Sequence, residues 1–349
     1  MKAAACPAPV GRYPHIVLGH GSGGRLSQEL LEHVFLPAFA GTTLAALEDQ
    51  ALLPGPTERG ARIAFTTDSF VVSPLFFPGG DIGRLAVCGT VNDLCVGGAI
   101  PHSLSAAFVL EEGLAIADLE RIVRSMAATC REAGVEIVTG DTKVVERGKA
   151  DGVFITTSGL GVVPVGRALS ISNARVGDAL LVSGPIGDHG VSILSVREGL
   201  DFETSLLSDC APLASLTRVM LEVSPNIHCM RDPTRGGLSG VLHDIARRSK
   251  VGVRIDEALV PVRAEVRAAS DMLGLDPLYI ACEGRLVAAI APEDAQRVLA
   301  TVRSHPLGQG AALIGQVVAE QPGLVRMRSR VGGERVVPLL SGEQLPRIC

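Results

Sequence analysis

The 349-residue chain has no tryptophan, two tyrosines and nine phenylalanines, so aromatics make up only 3% of it. Its core must be built from Val, Leu, Ile and Ala, which a hydrophobic fraction of 47% can supply. That fraction, with 20% charged residues, excludes a disordered chain. No run of about 18 apolar residues occurs, which excludes a membrane-spanning helix. The Cys-x-x-Cys spacing is missing, which argues against a zinc ribbon or a thioredoxin-like site. A Walker A sequence is missing too, so the chain is not a P-loop nucleotidase. Positive charge is not in excess: 32 Lys and Arg face 37 Asp and Glu, for a net charge of −5. The basic residues are scattered, the densest group being Arg326, Arg328 and Arg330, and no nucleic-acid partner is expected. The apolar start is short and broken by Pro7 and Pro9, unlike a secretory signal. A cytoplasmic protein is expected, with most of its eight cysteines reduced and buried.

Glycine (40) and proline (21) are abundant and aperiodic, which implies many tight loops. Length alone suggests about two domains. Apolar residues recur at helical spacing over 25–35, 82–98 and 118–134, the last with Leu119, Ile122, Val123, Met126 and Cys130 on one face and Gly134 as its stop. Strands are expected over 62–67, 104–110, 136–139 and 152–163, so the first half alternates strand and helix as an α/β layer does. A connection over 167–177 leads to a second alternating half, closed by the Gly332-Gly333 hairpin signal. The expected organisation is an N-terminal Gly-rich segment and helix over 1–40, domains over 41–166 and 167–340, and a mobile tail over 341–349.

The stretch Gly19-His20-Gly21-Ser22-Gly23-Gly24 formally fits a dinucleotide fingerprint, but 16–18 is a poor first strand, and a flexible loop covering a site is the better reading. More informative are acids set in polar or Gly-rich breaks: Asp49, Asp68, Asp93, Asp141 and Asp232. Acids converging from separate loops suit Mg²⁺, which takes carboxylates, waters and substrate phosphates. Each could equally cap a helix or a turn. Asn92-Asp93 stands apart, because two polar side chains interrupt an apolar helix. Lys143, after Thr139-Gly140-Asp141-Thr142, can reach a phosphate as a point charge or simply be an exposed lysine. Glu283, just before a buried-looking strand, can be a general base or a turn residue. His20, His189 and His228 lie near glycine or polar breaks, and nothing in their spacing assembles them.

Taken together, Thr66-Thr67-Asp68-Ser69-Phe70, Phe77-Pro78-Gly79-Gly80-Asp81-Ile82-Gly83, Gly89-Thr90-Val91-Asn92-Asp93-Leu94, Val138 to Val145, and Arg231 to Gly237 resemble the HypE family of hydrogenase maturation factors. So does the ending Pro346-Arg347-Ile348-Cys349, which is specific to that family, whereas the Asn-Asp-Leu and Gly-Asp-Thr-Lys patterns belong to the wider superfamily of aminoimidazole ribonucleotide synthetase. The likeness runs from about residue 15 to the end. It implies a two-domain α/β (α+β) PurM-like fold whose N-terminal domain forms a β-barrel in a homodimer. It also implies a carbamoyltransferase partner of the HypF type that loads the terminal thiol, ATP-dependent dehydration of that thiocarboxamide to thiocyanate, and delivery of cyanide to iron held by a HypC–HypD complex. No membrane or nucleic-acid partner is implied. On this reading Asp49, Asp68, Asp93 and Asp232 hold Mg-ATP, with Asn92 and Asp141 as neighbours. Lys143 stabilises the transferring phosphoryl group, Glu283 is the base, and Cys349 carries the carbamoyl and cyano groups.

Two other readings remain. A small-molecule ATP-dependent synthetase or kinase of the same superfamily would share the Asp and Lys motifs without needing Cys349. A noncatalytic scaffold would need the tail but not the acids.

Overall fold

The computed structural model describes residues 13–17, 20, 29–39, 59–199, 206–339, 345 and 347–349. The Gly-rich loop apart from His20, together with Asp49 and residues 341–344, lies outside them, and the helix expected over 25–35 is described only from residue 29.

Strand β1 (Arg62–Phe70) is followed by a small hairpin of β2 (Phe76–Phe77) and β3 (Gly80–Asp81), then by β4 (Ile100–Glu111), β5 (Glu136–Val145) and β6 (Val153–Val163). The four long strands form a sheet in the order β1-β6-β4-β5. Helices Ile82–Val96 and Ile116–Ala133 cover one of its faces. Burial follows the two-residue period of a strand: Val153, Ile155 and Thr157 of β6 point to the helices, and their neighbours do not. Asp81 of the Gly-Gly-Asp stretch is a helix cap, its Oδ1 accepting from the Gly83 and Arg84 amides at 2.7 and 3.1 Å. Helix Ile116–Ala133 buries Leu119, Ile122, Val123, Met126 and Cys130 and stops at left-handed Gly134, as its apolar spacing implies.

Two strands outrun their expected ends. β1 continues through Asp68-Ser69 to Phe70, because Thr66, Asp68 and Phe70 all fall on the helix-covered side, where polar partners wait for the first two. β5 continues past Thr139 to Val145, so the Gly140–Lys143 stretch is strand, paired in parallel with β4.

The second half holds β7 (Ala179–Val182), β8 (Ile227–Arg231), β9 (Gly252–Asp256), β10 (Val287–Ile290), β11 (Ala312–Val318), β12 (Val325–Arg328) and β13 (Glu334–Val336) in one sheet, ordered β13-β12-β9-β11-β7-β10-β8. Helices Asp188–Arg197, Ala214–Val223, Gly237–Arg248, Ala264–Leu273 and Pro292–Ser304 intervene along the chain. A hairpin forms at Gly332-Gly333, but its connection is the five residues 329–333 rather than a two-residue turn, with Arg328 opposite Glu334. Strand β8 is not legible in the sequence, since His228 and Arg231 blur its five residues. Its half-buried His228 is held by Asp178, Nδ1 to Oδ2 at 2.9 Å.

One apolar cluster crosses the junction of the halves, joining Phe70, Leu85 and Cys88 to Val191, Cys210, Val266 and Ile280. Leu345 and Ile348 belong to it. The described end of the segment expected to be a mobile tail is therefore docked, packed between the two domains. Six described cysteines, at 88, 95, 130, 210, 229 and 282, are buried and outside any disulfide.

Candidate functional site

Three of the expected acids converge on this junction from separate elements. Asp68 comes from β1, Asp93 from helix Ile82–Val96, and Asp232 from the turn after β8. The Thr66 hydroxyl donates to Asp93 Oδ2 at 2.9 Å, and the Thr90 hydroxyl to Asp68 Oδ2 at 3.2 Å. Burial, and then the neighbouring Asp93 charge, push Asp232 up to about 7 and raise Asp68 above the usual carboxylate range. Arg235, in the same turn as Asp232, opposes the rise at Asp68. Gly236 and Gly237 both sit at positive φ, and a Cβ on Gly237 would lie 2.7 Å from the carbonyl oxygens of Leu278 and Ile280. Glycine there lets the Asp232 turn lie against residues 278–280.

Glu283 faces the same cluster. It is 3% exposed, and its Oε1 has no hydrogen-bond partner among the described residues. Burial first, then Cys210, Asp232, Asp209 and Asp68, raise its pKa well above the ordinary value. Its backbone is pinned, the amide donating to Asp209 Oδ1 at 3.0 Å. A Cβ at the next residue, Gly284, would lie 1.8 Å from the Asp209 carbonyl oxygen, so only glycine admits the 209–211 loop here. Asp209 Oδ2 is in turn 3.4 Å from Arg285 Nε. A carboxyl that is buried, protonatable and fixed in place has the properties of a general base.

Asn92 forms a joint between the domains. Its Nδ2 donates to the Ala211 and Glu283 carbonyls, each at 3.1 Å, and its Oδ1 accepts from the Leu213 amide at 2.8 Å. The polar pair in the apolar helix thus splits, one side chain tying the domains together and the other turned to the acids. Truncating Asn92 to Ala leaves three buried backbone groups unpaired, at about 1 kcal/mol or more apiece. Asn92→Ala should lower Tm by roughly 6 °C in a thermal melt.

The sheet register does not bring Lys143 and Asp141 to this cluster within one chain. Asp68 lies opposite Thr157, then Ala106, then Gly140, three strand spacings or about 14 Å across the sheet. Lys143 pairs with Val109 on the face away from the helices, whereas Asp68 is on the covered face. The Lys143 and Asp141 side chains are 68% and 61% exposed and paired at 3.1 Å, and Lys143 holds the Asp141 carboxyl below its usual range.

Cys349 does reach the junction. It is half-buried against the shared core. The Val71 amide donates to the Cys349 carbonyl oxygen and the Ser73 amide to the Arg347 carbonyl, both at 3.2 Å. The Arg347 carbonyl also accepts from Arg197, and its guanidinium pairs with Asp151. From the other side His189 Nε2 stands 2.6 Å from the Ile348 carbonyl. Burying Leu345 and Ile348 returns roughly 3–6 kcal/mol, and ordering five residues costs roughly 5–10 kcal/mol. The hydrogen bonds, about 1 kcal/mol each, close the gap. A seat balanced this finely can release its tail. Ser208, Asp209 and Arg197 escape sequence reasoning, and so do the partners of His189, because each bond joins segments 19 to more than 100 residues apart.

Residues 47–163 match the N-terminal domain family of AIR synthase related proteins, and residues 175–327 the C-terminal domain family. The chain is 55% identical over 334 residues to carbamoyl dehydratase HypE of Cupriavidus necator, covering 96% of this chain and 95% of that one. The solved structure of hydrogenase maturation protein HypE in complex with ATP superimposes with a TM-score of 0.91 at 48% identity, over 95% of this chain and 99% of that one. A HypE–HypF complex contains a chain matching with a TM-score of 0.78 at 47% identity, over 89% of this chain and 99% of that one. With both of its domains matched and this identity sustained over nearly its whole length, the chain belongs to the HypE family of carbamoyl dehydratases.

Proposed function

We propose that this chain is an ATP-dependent carbamoyl dehydratase acting on its own C-terminal thiol. A HypF-type carbamoyltransferase loads Cys349, and the resulting thiocarboxamide loses the elements of water to become a thiocyanate. The cyanide then passes to iron on a HypC–HypD complex as a ligand of the [NiFe]-hydrogenase. The observation that carries this reading is that Cys349 is seated on the core shared by the two domains, with its neighbour Ile348 tied through His189 and Ser208 to the loop whose Asp209 fixes Glu283. A superfamily synthetase working on a free small molecule has no use for that seat. A scaffold has no use for the acids.

Mg-ATP supplies the phosphoryl group that makes the amide oxygen a leaving group. The donor set fits Mg²⁺: all oxygen, on separate elements, with neighbouring charges that raise the pKa values of Asp68 and Asp232 and that a divalent cation would offset. Among the described residues no three such side chains stand close enough to cage a metal alone. With ATP bound, Asp68, Asp93 and Asp232 would help hold the ion alongside phosphate and waters, with Asp49 proposed from the sequence. Glu283 takes a proton from the carbamoyl nitrogen, and its burial makes it a stronger base than an exposed glutamate. Lys143 stays in the proposal as the cation for the transferring group. Its position on the open face of the sheet means that its reach depends on the tail and on a second copy of the chain.

The test is intact mass. The chain incubated with its carbamoyltransferase system should gain one carbamoyl group, and ATP should then remove the mass of one water from it. Failure to lose water with ATP present would overturn the reading.

The open sheet face exposes Ile63, Phe65 and Ile100 by 64%, 68% and 58%, and a facing copy would cover them. A homodimer through this face should appear as twice the chain mass by light scattering at micromolar concentration. Phe65→Lys should halve that mass, and an unchanged mass would remove this face from the interface.

A further inference from the structure

His189 has no role in the chemistry above, yet it is fully buried at the start of helix Asp188–Arg197. Its Nδ1 is 2.8 Å from Ser208 Oγ and its Nε2 is 2.6 Å from the Ile348 carbonyl oxygen, one residue before the reacting thiol. The ring meets Phe77 edge-on at 5.5 Å, which blocks its rotation. A carbonyl has no hydrogen to give, so Nε2 must carry the proton. Burial lowers the pKa of His189 and favours the neutral ring, so Nδ1 is bare and must accept. Ser208 suits that need. Its oxygen already accepts from the Cys210 amide at 3.1 Å, which leaves the hydroxyl hydrogen free for Nδ1. The result is a directed chain from the Cys210 amide through Ser208 and His189 to Ile348. The same loop fixes Glu283 through Asp209. One short segment therefore sets both the tail and the proposed base. Beside the ring, Gly190 leaves room for Leu345, whose Cδ1 would lie 3.1 Å from a Cβ there.

We propose that His189, oriented by Ser208, is a positioning residue that holds the tail in its inward seat by donating from Nε2 to the Ile348 carbonyl. This rests on the proposed function for its purpose but not for its measurement. Every contact in the hold comes from the chain itself. Arg197 grips the Arg347 carbonyl with a charged donor, whereas His189 reads the Ile348 carbonyl with an uncharged one, so this bond registers seating without involving Arg347.

The experiment measures the alkylation rate of Cys349 by N-ethylmaleimide in the full-length, uncarbamoylated chain, with Cys349→Ala giving the background from other thiols. His189→Ala should raise that rate roughly tenfold, the loss expected for one buried hydrogen bond and the group it leaves unpaired. His189→Gln, whose amide can donate to the same carbonyl, should return it most of the way to the parent rate. Ser208→Ala should raise it roughly threefold, because the ring loses the partner that sets its tautomer. A second readout follows water loss from pre-carbamoylated chain in a single turnover. There His189→Ala should be slowed roughly tenfold and His189→Gln should not, with ATP affinity unchanged in both. Parent alkylation rates in His189→Ala and Ser208→Ala would overturn the proposal. Should His189→Ala not fold, the Ser208→Ala rate decides alone: a rise supports the seat, and the parent rate overturns it. Alkylation needs neither carbamoyl group nor ATP, so a chain that never loses water would sink the proposed function and leave this seat standing.

Discussion

Replacing Glu283 by Gln should lower single-turnover conversion of carbamoylated chain to thiocyanate by about a thousandfold, the contribution expected of a well-placed general base. That loss corresponds to about 4 kcal/mol of barrier. Gln keeps the shape of the side chain, and the backbone bonds of residue 283 to Asp209 and Asn92 do not depend on the carboxyl. The fold should survive. Indeed the melt should not fall, because the substitution removes a group that burial and four neighbouring groups, Cys210 and three acids, already disfavour in its ionised form. ATP binding and loading of Cys349 by the carbamoyltransferase should continue, so carbamoylated chain should accumulate. This separates Glu283 from Asn92, whose loss should appear in the melt. A Glu283→Gln chain that releases thiocyanate at the parent rate would place the base elsewhere.

A glycine added after Cys349 should slow dehydration by roughly thirtyfold, in line with the loss of one charge-assisted hydrogen bond at about 2 kcal/mol. The terminal oxygen accepts from the Val71 amide, and the preceding residues are already fixed at Ser73, His189 and Arg197. An added residue must find space beside Val71, at the edge of the shared core, and it moves the negative charge away from that amide. Arg347 has little slack to offer, since it sits in the left-handed region at φ +57°, where an arginine is held only by its surroundings. Cys349→Ala is the companion control and should never gain carbamoyl mass. The measurement is again intact mass against time on pre-carbamoylated chain. Dehydration of the extended chain at the parent rate would show that the seat does not require a free end.

How far the sequence carries depends on whether a residue's job is local. Helix Ile116–Ala133, the cap at Asp81, the Gly332-Gly333 hairpin and the buried cysteines follow from spacing and turn chemistry, which act over a few residues. Acids stranded in apolar surroundings also show themselves, because burying a charge without purpose is costly. Asp68, Asp93, Asp232, Glu283 and the terminal cysteine therefore stand out as candidates by inspection. Residue type and spacing say nothing about which face of a sheet a side chain takes once a strand runs longer than its apolar core. For that reason Lys143 and Asp141 group with Asp68 by motif although the register puts them on the opposite side. Nor do type and spacing separate Asn92 from Asp93: adjacent helix positions point about 100° apart, and only packing decided that one meets the backbone of the other domain while its neighbour meets Thr66. The tail reads as mobile because it is short and aperiodic. It is seated because Val71, Ser73, His189 and Arg197, remote from it in the chain, are brought around it by the meeting of two domains. The amino-acid sequence by itself thus marked the candidate side chains for the chemistry, the thiol of Cys349 among them. The tertiary structure alone decided which of them meet, because contacts across 100 residues or more are set by sheet register and domain packing, and these leave no local pattern to read.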